Sequence, residues 1–308
     1  MATLKKGLFL RLLVGKDNEY LHDNWFIKTC VNMDRYVDDN NWLNFSHKGT
    51  LAGGVTKNPT YPLPLVQRTD TPDRVYCAPY SSPAGYLPRI ETHALPYDKK
   101  PTILKDERDG LMDEIVTEGL WNCSPFENTL NTPIIQATGA LKNGYRTITG
   151  DDIKRLRVAL NQRFPALKNA KWLLILDTEN YWDLSLEDEV LRAQMMRKKY
   201  GDVSVGDISY LGFVLKEDDR SPYYDGTTMQ RLPYGAAPVI GTDLRGATAY
   251  VENKTFASGF GKAQMFEDKN AATLQGDVVS FLQHAYVGPF SEDLQSNLTY
   301  MGSIQRTP

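Results

Sequence analysis

The side chains that could do chemistry are few and scattered. Asp177, Glu179, Asp183, Glu187 and Asp188 crowd one short stretch. An acid–base pair needs two such carboxylates in different environments, so that one keeps its proton while the other stays ionised. These five instead follow a strand-like run and open a helix. There Asp177 or Thr178 caps free amides, and the remainder form a solvated face. The four histidines, His22, His47, His93 and His284, stand far apart and offer no metal-ligand spacing. Gly259-Phe260-Gly261-Lys262 has the glycines and lysine of a phosphate loop, but neither its spacing nor the Ser/Thr that should follow the lysine, and reads as a turn. Asp218-Asp219 beside Arg220 reads as a loop, and no Gly-x-Ser-x-Gly occurs. The expectation is no catalytic residue, no metal and no cofactor.

Composition narrows the class further. The 308 residues are 41% hydrophobic and 24% charged, enough for a sizeable core in one large or two medium domains. A net charge of -3 gives no basic face with which to read nucleic acid, although a neutral wall can still enclose it. Cys30, Cys77 and Cys123 are odd in number and widely spaced, which fits reduced thiols rather than a disulfide framework. The apolar run Leu8 to Val14 is interrupted by Arg11 and followed by no small-residue cleavage site, so it reads as an amphipathic start and not as a signal. No apolar run reaches 18 residues, so no membrane span is expected.

The element that must organise everything else is a long helix within residues 98–125. Pro101 and Thr102 mark its start, and Asn122 to Pro125 its end. Ile103, Leu104, Leu111, Met112, Ile115, Val116 and Leu120 recur at helical spacing, and Leu104, Leu111 and Ile115 define its core face. At 1.5 Å per residue it is a spar of about 30 Å. Residues 1–45 before it form an N-terminal arm whose aromatics, Tyr20, Trp25, Phe26, Tyr36, Trp42 and Phe45, need a surface to pack on. Residues 46–97 hold Gly53-Gly54 and eight prolines, which break helices. Strands at Leu63–Thr69 and Arg74–Tyr80, with Asp70-Thr71-Pro72-Asp73 as the turn, predict an extended β-hairpin. A hairpin this long and polar cannot bury itself and needs a second surface. Its tip, Arg68, Thr69, Asp70, Asp73 and Arg74, carries both charge signs and is the expected assembly interface.

Residues 126–246 read as an α/β body. Thr149 or Gly150 caps a helix to Arg163, the apolar run Trp172 to Leu176 is a strand buried on both faces, Asp177-Thr178 starts a helix through about Asp188, and the charged residues 189–209 read as a helix plus loop. Tyr210 to Leu215 is a strand and 216–236 a loop. In residues 247–308, Ala247–Glu252 and Gln264–Glu267 read as strands, Phe256–Phe260 as a turn, Val278–Val287 as the last long strand, and Ser291 onward as a polar tail.

Several stretches together carry a family resemblance. Arg68-Thr69-Asp70, then Glu91 through Leu95-Pro96-Tyr97-Asp98-Lys99, then Asp106-Glu107-Arg108-Asp109 in a helix resemble the major capsid proteins of tailed bacteriophages, nearest the branch found in phages and prophages of Bacteroidetes-type bacteria. The run from Leu173 through Asp188, Tyr210-Leu211-Gly212-Phe213, and residues 247–290 resemble that branch in the same order. The resemblance implies an α+β architecture, the Hong Kong 97 type capsid fold. Its parts are an N-terminal arm, an extended loop, a peripheral domain with a spine helix, and an axial domain, with the final strand returning to the peripheral domain. It also implies hexamers and pentamers of one chain, closed into an icosahedral virion head around double-stranded DNA and assembled in the host cytoplasm. Portal protein, separate scaffolding and decoration proteins are the implied partners; with the hairpin beginning near residue 46, no large N-terminal scaffolding domain is expected. Two other functions remain open on sequence: an encapsulin-like compartment shell around cargo enzymes, and a cytoplasmic enzyme with an unrecognised site.

Overall fold

The computed structural model describes residues 25–47, 70–88, 99–129, 131–199, 207–271, 276–290 and 300–307. A one-turn helix α1 (Trp25–Lys28) leads to strands β1 (Val31–Asn32), β2 (Trp42–His47), β3 (Thr71–Tyr76), β4 (Ala78–Ser81) and β5 (Gly85–Pro88). The long helix α2 (Lys99–Asn122) follows, then β6 (Ile134–Gln136), β7 (Leu141–Lys142), β8 (Tyr145–Arg146) and α3 (Gly150–Arg163). Strand β9 (Trp172–Leu176) precedes α4 (Thr178–Glu187) and α5 (Glu189–Lys199). The chain closes with β10 (Ser209–Tyr210), β11 (Phe213–Glu217), β12 (Tyr223–Tyr224), β13 (Leu244–Arg245), β14 (Ala247–Val251), β15 (Phe256–Ala271), β16 (Gly276–Pro289) and β17 (Met301–Gln305).

These elements fall into two compact units. The first gathers the described residues up to Ser46, from Pro72 to Thr117 and from Ala257 to Val287. It is built on the adjacent long strands β15 and β16, with β1 parallel along β15 and both β4 and β5 antiparallel along β16. Most of α2 belongs here. Leu111 is 6% exposed and packs on Met265, Val279 and Phe281 of the two long strands. Ile115, one turn on, is 1% exposed, so the predicted core face is buried at both positions. The side chain of Leu104 lies outside the described residues. The helix begins at Lys99, ahead of the expected Pro101–Thr102 start. Pro101 fits the first turn because no amide donor is needed there. The same face also buries an ion pair: Arg108 reaches Asp109 at 2.9 Å, with both side chains almost wholly covered.

The second unit holds Glu118–Phe256 and the C-terminal residues from Gly288. Its sheet runs β10-β11-β9-β14-β17-β6, with β9 parallel to β11 and antiparallel to β14, and β17 parallel to β6. All five residues of β9 are buried, as a continuous apolar run requires. Helix α3 lays Ile153, Leu156 and Leu160 on this sheet. Its N-terminus closes with a capping box: Thr149 accepts from the Asp152 amide, and the Asp152 carboxylate accepts from the Thr149 amide.

The structure departs from the sequence reading at definite places. The predicted turn Asp70–Asp73 is not a turn, since β3 starts at Thr71 and ladders with β2. The Cys77 amide donates to the Asn41 carbonyl at 2.9 Å, and Trp42 meets Tyr76 edge-on at 5.3 Å. The start of β2 therefore faces the end of β3, as in the two arms of a hairpin, and the connection between them is residues 48–70. Pro72 misled the turn reading; a proline is tolerated near a strand start because only one ladder donor is lost. The predicted strand Leu63–Thr69 lies outside the described residues. Tyr210–Leu215 is a tight antiparallel hairpin of β10 and β11, with Leu211 and Gly212 at φ 48° and 85°. Phe256–Phe260 is strand rather than turn. Val278–Val287 is not the last strand: the polar-looking tail contributes β17, buried at every position between β14 and β6. Met301 and Ile304 alternate with small or polar residues, and α3 presses on the strand at Gly302, where a Cβ would stand 2.9 Å from Leu156 Cδ1 and 3.2 Å from the Pro133 carbonyl. Residues 247–308 thus divide between the units: β14 and β17 complete the second, and most of β15 and β16 the first.

Candidate functional site

Each carboxylate of the acidic stretch is committed to a local structural partner. The Glu179 carboxylate holds Arg306 at 2.8 Å and that of Asp183 holds Lys142 at 2.5 Å. Glu187 accepts from the Gly150 amide at 3.1 Å, and Asp188 from the Leu191 amide at 3.2 Å. The face is solvated at Glu179 and Glu187, as expected, but Asp183 and the expected cap Asp177 are buried. Asp177 does not cap α4: its carboxylate takes a hydrogen bond from Asn180 instead, and burial pushes its pKa up. Asp219, from the loop after β11, performs the capping; it accepts from the Thr178 amide at 2.8 Å and from its hydroxyl at 2.9 Å. That amide bond is the main cause holding the Asp219 carboxyl below its usual range. Asp218 is forked onto Arg220 at 2.9 and 2.7 Å within its turn. Glu187 and Asp188 border one open surface pocket with Asp151, Lys154 and Tyr210, and the other carboxylates of the stretch do not line it.

The Gly259–Lys262 stretch is part of β15, and its glycines serve packing. A Cβ at Gly261 would lie 2.6 Å from Asn41 Oδ1 and 3.0 Å from His284 Cβ. The absent side chain lets the segment around Asn41 lie directly on the strand, where Asp34 accepts from the Phe260 amide at 3.0 Å and Lys262 reaches Asp39 at 2.7 Å. His284 is buried, with Tyr76 edge-on to its ring; the side chains of His22, His47 and His93 lie outside the described residues. Cys30, Cys77 and Cys123 are buried free thiols. Burial pushes the Cys77 thiol up to about 11, with help from Asp38 and Asp34. Among the described residues no group of three or more His, Cys, Asp or Glu could hold a metal, and no helix is long and apolar enough to cross a membrane.

The most elaborated polar site closes the C-terminal end of α2, where helix carbonyls have no partners of their own. Arg231 donates through Nη1 to the carbonyls of Trp121 and Ser124, the latter at 2.6 Å, and its guanidinium lies 3.7 Å from the Trp121 ring centroid. Trp121 Nε1 returns a bond to the Leu232 carbonyl at 2.8 Å, and the Arg231 amide donates to Phe126 at 2.9 Å. Tyr224, fully buried, donates its hydroxyl to the Pro125 carbonyl at 3.1 Å. Burial lowers the Arg231 pKa and pushes the Tyr224 phenol up to about 12. Sequence reasoning missed this clamp. Arg231 and Tyr224 sit in a segment read as plain loop, where nothing local sets Arg231 apart from Arg220.

The expected interface residues stand on the β2–β3 ladder and beside it. Asp70 and Asp73 are exposed, and the Arg74 guanidinium stacks 4.9 Å over the Trp42 ring of its own chain. Arg68 and Thr69 lie outside the described residues.

No protein-family model matches the sequence, and no curated protein matches it. Solved structures do. The capsid of Ralstonia phage GP4 aligns over 91% of this chain and 87% of its own, at 12% identity and a TM-score of 0.64. The capsid asymmetric unit of cyanophage Pam1 aligns over 94% and 93%, at 12% identity and 0.59. The capsid of cyanophage P-SCSP1u aligns over 97% and 93%, at 11% identity and 0.57. The fold is therefore that of phage capsid proteins, the Hong Kong 97 type.

Proposed function

We propose that this chain is the major capsid subunit of a tailed phage, assembling as hexamers and pentamers into an icosahedral head around double-stranded DNA. The observation that carries the reading is the fold: the likeness to phage capsids takes in nine-tenths or more of this chain and most of theirs. In this reading the chain's role in the virion is structural rather than enzymatic. In this reading the first unit, with most of the spine helix, is the peripheral domain, and the second unit is the axial domain. The arms β2 and β3 carry the extended loop to a neighbouring subunit, with Arg68, Thr69, Asp70, Asp73 and Arg74 on or next to that contact. Separate scaffolding, portal and decoration proteins complete the set of partners, and the packaged DNA is contacted without sequence preference.

The test is to purify the particles formed on expression in a bacterial host and analyse their contents. Co-expression with head-packaging proteins should yield fast-sedimenting shells that protect DNA from nuclease. Shells that instead retain a stoichiometric enzyme would point to a cargo compartment. A chain that never sediments above a small oligomer would remove the shell reading altogether.

A further inference from the structure

We infer that the Asn143–Gly144 turn is a site of spontaneous covalent modification, where the Asn143 side chain deamidates through a cyclic imide in the folded chain, whether or not that chain forms a shell. Asn-Gly occurs once in the 308 residues. It is the two-residue connection between β7 and β8, whose register pairs Lys142 with Tyr145 and Leu141 with Arg146. Both turn residues have positive φ, 54° and 87°. So short a hairpin requires this of both, which is why asparagine and glycine stand there. The pair that fits the turn is also the chemically labile one, because the Gly144 amide nitrogen can attack the Asn143 carboxamide carbon, Cγ. Asn143 and Gly144 are exposed, so water and hydroxide reach them. The ladder is closed by the amides of Lys142 and Tyr145 and leaves out that of Gly144. A Cβ at Gly144 would meet nothing within 4 Å, so no neighbouring group crowds the nitrogen from that side. Ring closure needs the turn to rotate. Each strand is only two residues long, with Leu141, Lys142 and Arg146 exposed, and such a hairpin opens at low cost.

The atoms balance without any oxidant or reductant. The Gly144 nitrogen bonds to Cγ, the Cγ–Nδ2 bond breaks, and ammonia leaves with the proton that Gly144 gives up. Water then opens the imide. Addition at Cγ leaves aspartate in the original chain; addition at the Asn143 carbonyl carbon leaves isoaspartate, with the chain now running through Cγ. Isoaspartate lengthens the backbone by one carbon and no longer fits a two-residue turn. The hairpin it disrupts holds the chain just after β17. The Arg146 amide donates to the Thr307 carbonyl at 2.9 Å, and the Arg146 carbonyl accepts from Arg306 Nε at 3.4 Å. Lys142 ties the other strand to Asp183 at 2.5 Å. Modification therefore loosens the C-terminal strand of the second unit. The chain carries its own control: Asn253 is exposed and has φ 54°, but Lys254 follows it.

The experiment stores the full chain in native buffer at mildly alkaline pH. Peptide mass spectrometry follows deamidation, and enzymatic methylation reports isoaspartate. Product should form at Asn143 at least about tenfold faster than at Asn253, because a Cβ on the attacking residue crowds ring closure. The rate should rise with pH, since the attacking nitrogen must give up its proton. Asn143→Gly keeps a pair that suits the turn; it should give no product there and melt like wild type. As product accumulates, hydrogen exchange at the Arg146 amide and in β17 should quicken in wild type and stay constant in Asn143→Gly. Equal rates at Asn143 and Asn253, or product at Asn143 only after urea has unfolded the chain, overturns the inference. Product that leaves exchange at Arg146 and in β17 unchanged overturns the loosening of the C-terminal strand.

Discussion

Replacing Leu111 tests whether the spine helix is a folding element. The side chain is 6% exposed and fills the space between α2 and Met265, Val279 and Phe281. Leu111→Ala removes its buried methyl groups and leaves a cavity, which costs about 2–5 kcal/mol according to how far the site collapses. Leu111→Asp also buries a carboxyl with no partner, adding several kcal/mol or forcing it to keep its proton. Glu107 and Glu114 lie one turn away on either side, and the buried Arg108, three residues back on the same face, is already held by Asp109. A domain has only about 5–15 kcal/mol to lose, so the aspartate variant should be largely unfolded while the alanine variant folds with a lower denaturation midpoint. Lys105→Asp, on the exposed side of the same helix, serves as a control and should shift stability by no more than about 0.5 kcal/mol. Urea titrations followed by circular dichroism give all three values. Equal midpoints for wild type and Leu111→Asp would refute the assignment of this face to the core.

Three other perturbations follow from the structure. Arg231→Lys keeps the charge but loses both the fork to the Trp121 and Ser124 carbonyls and the stack on Trp121; it should cost about 1–3 kcal/mol in the same titration, and an unchanged midpoint would dismiss the clamp. Tyr224 holds its proton up to about 12 in the folded chain. An unfolded tyrosine releases it near 10, so the stability this residue contributes is complete below about pH 10 and is lost as pH rises to about 12, up to roughly 3 kcal/mol. Tyr224→Phe should flatten that alkaline loss, and a loss of equal size in the variant would assign it elsewhere, for instance to Tyr181. Asp73→Lys inverts an exposed charge on β3; the variant should melt like wild type but assemble less completely, and undiminished assembly would remove Asp73 from the proposed interface.

What the sequence made legible were the elements whose local signals agree with their burial. The long helix, the Thr149 cap, the all-apolar strand Trp172–Leu176 and the helix after it were each readable from period, cap or continuous hydrophobicity. Failures came where long-range packing overrides composition. Met301–Gln305 is short and carries Gly302, Ser303 and Gln305 among its apolar residues, yet it forms an inner strand on which α3 packs closely at Gly302. Gly259 and Gly261 look like turn residues, but they clear room for the segment carrying Asn41. Pro72 and the flanking aspartates are turn formers that a strand start tolerates. The Asp219 cap and the Arg231 clamp join residues 41 and 110 positions apart, and no local pattern can announce such pairs.

The central claim is that copies of this chain close into a shell, and cryo-electron microscopy of the purified full-length protein tests it most directly. The account predicts closed icosahedral particles in whose density each subunit fits the two units described, with the loop between β2 and β3 reaching over a neighbour. Purified, folded protein that stays dispersed as single chains, or that packs with that loop folded back on its own subunit, would contradict it.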